Sequence, residues 1–292
     1  MHDVSKTPRR FSSVVIRLFD LARWLGSAVW PGRWAYRRFI ARGGLQLHEE
    51  SIPVAGLPRA LQGLRIAQIS DLHAGQFLDE STLDPVVDLV RACHPDVLVV
   101  TGDFITNRAD DVRALGSVFS RLPGPLGKFA VFGNHDYRQR REGEIVSALR
   151  RQGVHVLRNA SEAVVRGGAT LRIVGLEDIE EGRVADLDLA VQDCAPDDGA
   201  TLLLCHHPDI VDSLPDGRFD LVLCGHTHGG QIVLPWLGSP AKRWLPRQLS
   251  GTRALTGGGF CHVNRGLGVL VVPVRLGARA EVSCLTLVAA DA

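Results

Sequence analysis

The regular alternation of short apolar runs with amphipathic stretches after Gly63 is the feature that most constrains this fold. Three runs of strand type alternate with three stretches of helical type, in the order LRIAQIS, LDPVVDLVRAC, DVLVVTGD, DVRALGSVFSRL, KFAVFGNHD and GEIVSALRRQG. Neighbouring parallel strands need a crossover connection, which is usually a helix, so the pattern predicts a sheet with helices on at least one face. The sequence therefore indicates an α/β fold.

Seven further apolar runs predict additional strands in the second half of the chain. They are HVLRN, EAVVRG, TLRIVGLE, TLLLCHH, FDLVLCGH, LGVLVVPVRL and AEVSCLTLV. Because this number exceeds what one small sheet holds, we expect two packed sheets. A chain of 292 residues, of which 45% are hydrophobic, can bury the core that such a sandwich needs.

Polar residues with metal-binding side chains directly follow five of the apolar runs. They are Asp71 and His73, Asp103, Asn134 with His135 and Asp136, His206, and His226 with His228. In α/β sheets, ligands bind at the carboxyl ends of the strands, where loops can converge. Each residue alone could cap a helix or close a turn, and a lone histidine is more often structural. Five such strand ends together predict a metal site.

The donor set narrows the metal chemistry. Carboxylates, an amide oxygen and imidazoles suit divalent Mn, Fe or Zn, and the absence of thiolates argues against a closed structural zinc site. So many donors are too many for one first-row ion. We therefore expect two ions about 3.5–4 Å apart that share a carboxylate, an arrangement that activates water for in-line attack on phosphorus. Gly102, Gly133 and Gly225 directly precede donor positions, where a missing side chain permits close approach.

The remaining histidines have simpler interpretations. His94, His155, His207 and His262 are interpreted as structural, and His2 and His48 as surface residues.

The five strand-end motifs together resemble those of the calcineurin-like metallophosphoesterases. The matching segments are DLH at 71–73, GDFITN at 102–107, GNHD at 133–136, the first histidine of CHHPD, and GHTHGGQ at 225–231, in the order of the family. The resemblance extends over residues 60–290 and implies an αββα sandwich, in which two packed mixed sheets are flanked by helices.

The resemblance also implies a role for each motif residue. The seven metal ligands divide into two triplets and one bridging carboxylate: Asp71, His73 and His228; Asn134, His206 and His226; and Asp103. His135 matches the catalytic histidine of the family, which donates a proton to the leaving oxygen or stabilises the transition state. Asp136 would orient the ring of that histidine. The implied cofactors are two divalent metal ions, either Mn, Fe or Zn.

Two further segments, NRGLG at 264–268 and RLGARAE at 275–281, indicate one branch within this family. With GHTHGGQ they resemble a bacterial branch of membrane-associated phosphodiesterases, which includes enzymes acting on UDP-2,3-diacylglucosamine in lipid A synthesis. Members of this branch usually have serine in place of Asn264 and proline in place of Ala280, so this chain departs from the pattern at two positions. The branch implies a phosphodiester or pyrophosphate substrate, lipid-linked or nucleotide-linked, hydrolysed at a membrane surface.

Two other functions remain open from these motifs. A soluble phosphomonoesterase or cyclic-nucleotide phosphodiesterase would use the same metal ligands. A metal-binding scaffold without turnover would have no need of His135.

The segment IVLPWLGSPAKRWLPRQLSG at 232–251 mixes apolar and basic residues and is expected to form a loop near the mouth of the site. An ordinary surface loop is the alternative interpretation. Arg243, Arg247 and Arg265 are the candidate phosphate contacts, because guanidinium groups match phosphate geometry.

Residues 1–50 form a basic extension to a domain that we place at residues 51–292. The extension carries nine Lys/Arg against four Asp/Glu, whereas the rest of the chain carries 24 against 28. A basic arm favours an anionic membrane surface, and a mildly acidic domain lacks the basic stripe expected for nucleic acid. The apolar stretch at 11–30 could span a bilayer by length, but Arg17, Asp20 and Arg23 interrupt it. We expect an amphipathic helix at the membrane interface.

A helix packed on the protein's own surface is the alternative for this segment. Arg9 and Arg10 resemble a twin-arginine export signal, but the charges that follow and the lack of an A-x-A cleavage site argue against export. The six cysteines include no CxxC pair and predict buried free thiols, which favour a reducing compartment. We therefore expect a cytoplasmic protein, peripheral on the inner membrane, with twin-arginine export as the alternative.

Overall fold

A computed structural model describes residues 32–75, 77–181, 184–195, 198–240 and 245–290. These residues form two six-stranded sheets that pack face to face, with helices on the outer faces. The predicted α/β sandwich is confirmed.

The first sheet contains the strands that precede the first three site motifs. In spatial order its members are β1 (Leu45–Val54), β12 (Ala280–Ala289), β2 (Arg65–Ile69), β3 (Val97–Thr101), β4 (Lys128–Val131) and β5 (His155–Val156). Strands β2 to β5 run parallel, β1 runs parallel to β12, and β12 is antiparallel to β2. The sheet is therefore mixed.

The second sheet contains the strands that precede the two remaining motifs. In spatial order its members are β10 (Gly251–Ala254), β11 (Phe260–Val263), β9 (Leu221–Cys224), β8 (Ala200–Leu204), β7 (Ala169–Gly175) and β6 (Ala160–Arg166). Its four central strands are parallel, and the edge strands β10 and β6 pair in antiparallel fashion.

Five α-helices accompany the sheets in the described residues. They are α1 (Gly32–Phe39), α2 (Asp84–Ala92), α3 (Val118–Arg121), α4 (Glu142–Arg150) and α5 (Leu187–Ala190). None of the helices in the described part of the chain combines the length and apolar content needed to cross a bilayer.

The central strands are buried on both faces. In β3, Val97 and Val99 lie in the layer between the sheets, whereas Leu98 and Val100 lie in the layer that includes the apolar side of α2. Alternate residues of a strand point to opposite faces, so a strand covered on both sides needs a continuous apolar run. This requirement explains the sequence VLVV at 97–100.

Two predicted elements differ from the structure. The helical stretch at 111–122 is broken at Gly116, where φ is 52°, into a 3₁₀ segment (Ala109–Leu115) and the short helix α3. The strand predicted within residues 267–276 is wrong, because this apolar segment forms an irregular loop. Its backbone carbonyls accept hydrogen bonds from the side chains of Gln231 and Arg275, and not from the backbone N–H groups of a neighbouring strand.

The predicted boundary at residue 50 lies inside β1, which pairs with β12 from Leu45 to Val54. Helix α1 is also part of the folded domain, because Tyr36 and Ile40 are buried in the core of the first sheet. The ordered domain thus begins before the predicted boundary. The stretch at 11–30 lies outside the described residues.

All six cysteines are free thiols, as expected. Five are buried, and Cys194 is half-buried.

Candidate metal centre

Five strand ends converge at one edge of the sandwich. Strands β2, β3 and β4 of the first sheet and β8 and β9 of the second each end just before a predicted site residue. Backbone bonds join the segments that follow: the N–H of Asp71 donates to Gly102 O at 3.0 Å, and the N–H of Gly225 donates to His206 O at 3.0 Å. The side chains after the strands therefore face one shared site.

Asp71, His73 and His228 form the first group of donors, and all three are buried. The Nε2 atoms of His73 and His228 lie 3.0 Å apart. Nε2 of His228 is 3.5 Å from Oδ1 of Asp71. Three donor atoms from two segments of the chain thus lie close together around one position.

His206 is the centre of the second group. Its Nε2 lies 3.3 Å from Oδ2 of Asp103, 3.3 Å from Nδ1 of His226 and 4.0 Å from Oδ1 of Asp71. Nδ1 of His206 lies 2.6 Å from the carbonyl of Thr101, which fixes the ring with Nε2 directed inward. Oδ1 of Asn134 is buried and has no hydrogen-bond partner among the described residues.

Asp103 lies between the two groups. Its Oδ2 is 3.4 Å from Nε2 of His73 and 3.3 Å from Nε2 of His206, so one carboxylate oxygen serves both. Its Oδ1 accepts the backbone N–H of His135. This is the location that a bridging carboxylate requires.

The backbone at the site is held in an uncommon conformation. Five of the seven predicted ligands have φ between 48° and 71°: Asp71, His73, Asp103, His226 and His228. Non-glycine residues adopt this left-handed region rarely, and each costs on the order of 1–3 kcal/mol. The GHTH segment is therefore not extended like a strand. His226 and His228 reach different donor groups because the chain turns between them, and not because alternate strand residues share a face.

The glycines before the donors are required by space. A Cβ at Gly225 would lie 2.0 Å from Oγ of Ser70 and 2.5 Å from Oδ2 of Asp71. A Cβ at Gly102, where φ is 90°, would lie 2.7 Å from Nδ1 of His206. Real Cβ atoms do not approach so closely, so any larger residue would displace a donor.

Burial sets the protonation of the donors. Desolvation, with neighbouring histidines, holds the pKa of His73, His226 and His228 well below the usual histidine value, so these rings are neutral. Burial by itself would also lower the pKa of His206. The nearby carboxylates of Asp103 and Asp71 have a larger, opposite effect and raise the pKa of His206 well above the usual histidine value. Burial also raises the pKa of Asp71 to about 6.

These residues fit a pair of divalent ions. Neutral imidazoles offer lone pairs, and the buried amide oxygen of Asn134 has no hydrogen-bond partner among the described residues. The Nε2 atoms of His73 and His228 are only 3.0 Å apart, so both cannot carry a proton, and a cation coordinated by both would replace this contact. No thiolate is among these donors, which argues against a closed structural zinc site.

The predicted catalytic histidine lies beside the donors. Nδ1 of His135 is 2.7 Å from the carbonyl of Thr106, and its Nε2 is 3.1 Å from Nη2 of Arg138. Burial, together with the charge of Arg138, lowers the pKa of His135 to about 4. The ring is therefore neutral, with its proton on Nδ1 and its acceptor nitrogen toward the guanidinium. Arg138 was not predicted from the sequence.

The carboxylate of Asp136 accepts backbone N–H groups, whereas it was expected to orient the ring of His135. Its Oδ2 accepts the N–H of Gly133 at 3.0 Å, and its Oδ1 accepts the N–H of Ile105 at 3.2 Å. The ring of His135 is oriented by the Thr106 carbonyl, so Asp136 orders the two loop backbones rather than the imidazole.

Arg275 is a second residue that the sequence analysis missed. It is buried, and its guanidinium lies 3.1 Å from Nδ1 of His228 and donates to the carbonyls of His228, Arg265 and Gly268. It thereby fixes the loop at 264–278 against the GHTH turn. A buried arginine within an apolar run (VVPVRLG) was the available signal.

His207 and Glu180 lie next to His226. The rings of His207 and His226 are 4.2 Å apart, and Glu180 completes a group of three possible donors. Burial, with the nearby Asp178, raises the pKa of Glu180 to about 7. The interpretation of His207 as purely structural overlooked this position.

The three predicted arginines differ in their surroundings. Arg243 lies outside the described residues. Arg247 is exposed. Nη1 of Arg265 lies 3.0 Å from Oε2 of Glu281, so its charge is already paired.

The sequence between residues 64 and 230 matches the family described as calcineurin-like phosphoesterase. The chain belongs to this family. YkuE of Bacillus subtilis, an uncharacterized metallophosphoesterase, is 29% identical over 265 residues, which cover 90% of this chain and 92% of YkuE. The phosphodiesterase YaeI of Escherichia coli is 31% identical over 236 residues, which cover 77% of this chain and 82% of YaeI.

A longer relative shares the same domain. The transmembrane protein with metallophosphoesterase domain of Bos taurus is 32% identical over 257 residues, which cover 82% of this chain and 56% of that protein. As a calcineurin-like phosphoesterase, this chain is a metal-dependent hydrolase, and the predicted enzyme class is confirmed. Its buried His/Asp groups are consistent with the dinuclear metal site typical of the family.

Proposed function

We propose that this phosphoesterase hydrolyses a phosphodiester or phosphoanhydride bond in a lipid-linked or nucleotide-linked substrate at a membrane surface. UDP-2,3-diacylglucosamine is the representative substrate to test. The observation that carries the proposal is an exposed apolar rim beside the metal centre, formed by Trp236, Leu237, Val274 and Leu276.

The rim is built from two loops that are bonded to each other. The N–H of Val233 donates to Leu276 O at 2.7 Å, and the N–H of Leu276 donates to Gln231 O at 3.0 Å. Trp236 and Leu237 are 102% and 81% exposed. Arg275, between the two rim residues of the second loop, contacts the predicted ligand His228. The side chain of Arg275 therefore connects the rim directly to one of the donors.

Such a surface suits lipid better than water. Neighbouring exposed apolar residues that include a tryptophan are typical of interaction sites, and tryptophan favours the headgroup level of a bilayer. Scattered single apolar residues would need no explanation, but these four lie on two adjoining loops.

Helix α1 carries basic residues and contacts the segment that leads into the second rim loop. The hydroxyl of Tyr36 donates to the carbonyl of Leu267, in the segment that leads into the second rim loop. On the other side of α1, Trp34 is exposed, with the guanidinium of Arg38 over its ring at 5.3 Å. Tryptophan and arginine together favour an anionic headgroup region. Helix α1 thus supports a peripheral position of the protein on the inner membrane.

The seven donor residues would hold two ions of Mn, Fe or Zn, which when bound neutralise phosphate charge and supply an activated water. Arg138 is placed to bind a non-bridging phosphate oxygen through the nitrogen that now faces His135. The phosphate would then compete for that guanidinium and raise the pKa of His135 toward the range of a proton donor. The phosphodiesterase YaeI, as a relative, supports a diester rather than a monoester.

The test compares substrates and one rim variant. Trp236→Ser combined with Leu237→Ser should lower hydrolysis of UDP-2,3-diacylglucosamine in anionic vesicles by more than about 10-fold, because more than 1.4 kcal/mol of apolar burial is lost. Hydrolysis of soluble bis-p-nitrophenyl phosphate should stay unchanged. Val165→Ser, an exposed apolar residue on β6, is the matched control.

Each assay is run with Mn²⁺, Fe²⁺ and Zn²⁺ and includes phosphomonoesters and cyclic nucleotides. Equal activity of the rim variant and the native chain on vesicles would contradict the proposal. Preference for phosphomonoesters or cyclic nucleotides would support the soluble alternative instead.

A further inference from the structure

A separate group of potential metal donors, outside the metal centre, lies between the two sheets. His48 and Glu50 belong to β1 of the first sheet, and Thr252 and His262 belong to β10 and β11 of the second. We name these four residues the inter-sheet cluster. It shares no residue with the metal centre, and neither the family match nor the motif resemblance accounts for it.

The donor atoms of the cluster converge on one carboxylate oxygen. Oε2 of Glu50 lies 2.9 Å from Nε2 of His48, 2.5 Å from Oγ1 of Thr252 and 3.8 Å from Nδ1 of His262. The two imidazole rings stack with centroids 5.3 Å apart. His262 is completely buried, whereas the side chains of His48 and Glu50 are 34% and 33% exposed. The cluster is therefore closed on one side and open to solvent on the other.

The surroundings of His262 fix which ring nitrogen carries its proton. Oδ1 of Asn264 accepts the N–H of Gly266, so its Nδ2 faces Ser283 and donates to Oγ at 2.8 Å. The single proton of Ser283 goes to Oε1 of the buried Glu281 at 3.1 Å. Nε2 of His262, 2.9 Å from the same Oγ, must then be the donor in that contact.

Nδ1 of His262 therefore presents a lone pair to the cluster. It lies 2.7 Å from Oγ1 of Thr252, and that hydroxyl also lies against Glu50. The hydroxyl has one proton for two acceptors, so one of the two contacts has no proton. A cation placed among Glu50, Thr252 and His262 would satisfy the lone pairs that compete for this one proton.

We propose that His48, Glu50 and His262 form a third divalent-cation site, separate from the dinuclear centre, and that zinc is the ion it suits best. Two imidazole nitrogens and one carboxylate oxygen are a usual zinc donor set, and Thr252 adds a neutral oxygen.

The spacing of the donors agrees with this ion. Tetrahedral coordination at Zn–N and Zn–O lengths of about 2.0–2.1 Å places neighbouring donors about 3.4 Å apart. The observed separations of 2.9 Å and 3.8 Å from Oε2 of Glu50 to the two ring nitrogens lie on either side of this value.

The ion would connect the two sheets. β1 is the edge strand of the first sheet, and within this cluster it reaches the second sheet only through polar side chains. A cation held by both sheets replaces contacts that lack a proton with coordinate bonds. We expect its main effect on stability rather than on turnover.

The experiment counts metal ions in the full-length chain. Protein stripped with EDTA is dialysed against buffered Zn²⁺, and bound zinc is measured by mass spectrometry. His48→Gln and Glu50→Gln should each bind one zinc ion fewer than the native chain, with affinity at this site reduced more than about 100-fold, beyond the loss typical of an indirect contact. Their hydrolysis of bis-p-nitrophenyl phosphate should be within about twofold of the native rate.

His155→Gln is the matched control, because His155 contacts Glu162 at 2.9 Å on the surface but belongs to no group of three donors among the described residues. It should bind as much zinc as the native chain. Equal zinc content in the native chain, His48→Gln and Glu50→Gln would overturn the proposal. The measured quantity is the difference in bound zinc between the native chain and each variant, and one zinc ion per chain is expected. This difference does not depend on how much metal the dinuclear centre holds. The same difference is therefore expected when both chains also carry Asp103→Asn.

Discussion

The metal centre and the inter-sheet cluster both gather histidines and carboxylates, but they are built in different ways. Donors of the metal centre follow strands and are held by turns with positive φ and by glycines. Donors of the cluster lie within ordinary strands, on residues that face the other sheet. A site at strand ends needs a special backbone, whereas a site within strands needs only that two sheets pack in register.

The two sites also differ in backbone strain. The strained residues of the metal centre persist because strand ends and buried hydrogen bonds fix them, as functional sites commonly require. The cluster has no strained backbone among its four residues. We therefore expect changes at the metal centre to affect turnover first, and changes in the cluster to affect stability first.

The largest effect is expected for Asp103→Asn. This change removes the charge shared by the two donor groups but keeps an oxygen that can accept the N–H of His135. Turnover of bis-p-nitrophenyl phosphate should fall by more than about 10³-fold, exceeding the loss for a single hydrogen-bond donor. Far-UV circular dichroism should match the native chain. Near-native, metal-dependent turnover would show that Asp103 does not bridge.

His135→Ala tests the proton-transfer side of the same centre. The two donor groups stay intact, so metal content should be unchanged, while the rate falls by about 10²–10⁴-fold on esters with poor leaving groups. Activated nitrophenyl esters should lose less. A series of leaving groups measures the difference, and a uniform loss would remove His135 from proton transfer.

Arg275→Lys tests how the rim loop supports the metal centre. Lysine keeps the charge but loses the planar fork that contacts Nδ1 of His228 and the carbonyl of Gly268. Metal affinity, measured by calorimetric titration, should fall by about 10–100-fold. Arg279→Lys, an exposed position nearby, should change nothing. Equal affinities for all three chains would separate the rim loop from metal binding.

The smallest effects compare the inter-sheet cluster with a surface pair in metal-free protein. His262→Gln leaves a buried polar partner unsatisfied and should lower the free energy of unfolding by about 1–3 kcal/mol. His155→Gln removes an exposed contact with Glu162 and should change the free energy of unfolding by less than about 1 kcal/mol. Urea denaturation in EDTA measures both. Equal values would mean that the cluster contributes no more than a surface contact.

Much of the metal centre was predictable because its signals are local. Asp71 with His73, and His226 with His228, sit in short motifs directly after apolar runs, and a strand end is readable from the sequence. The sandwich itself followed from the number of such runs. The failures were also local in cause: the apolar segment at 267–276 has strand composition but no neighbouring strand with which to pair.

The α/β class, the family and the candidate metal ligands can be read from the sequence alone. The left-handed turns, the contact of Arg275 with His228, the rim and the inter-sheet cluster depend on how distant segments pack together. His48 and His262 stand 214 positions apart and carry no motif, so nothing in their local sequence relates them. They meet because β1 and β11 belong to two sheets whose packing depends on the whole core.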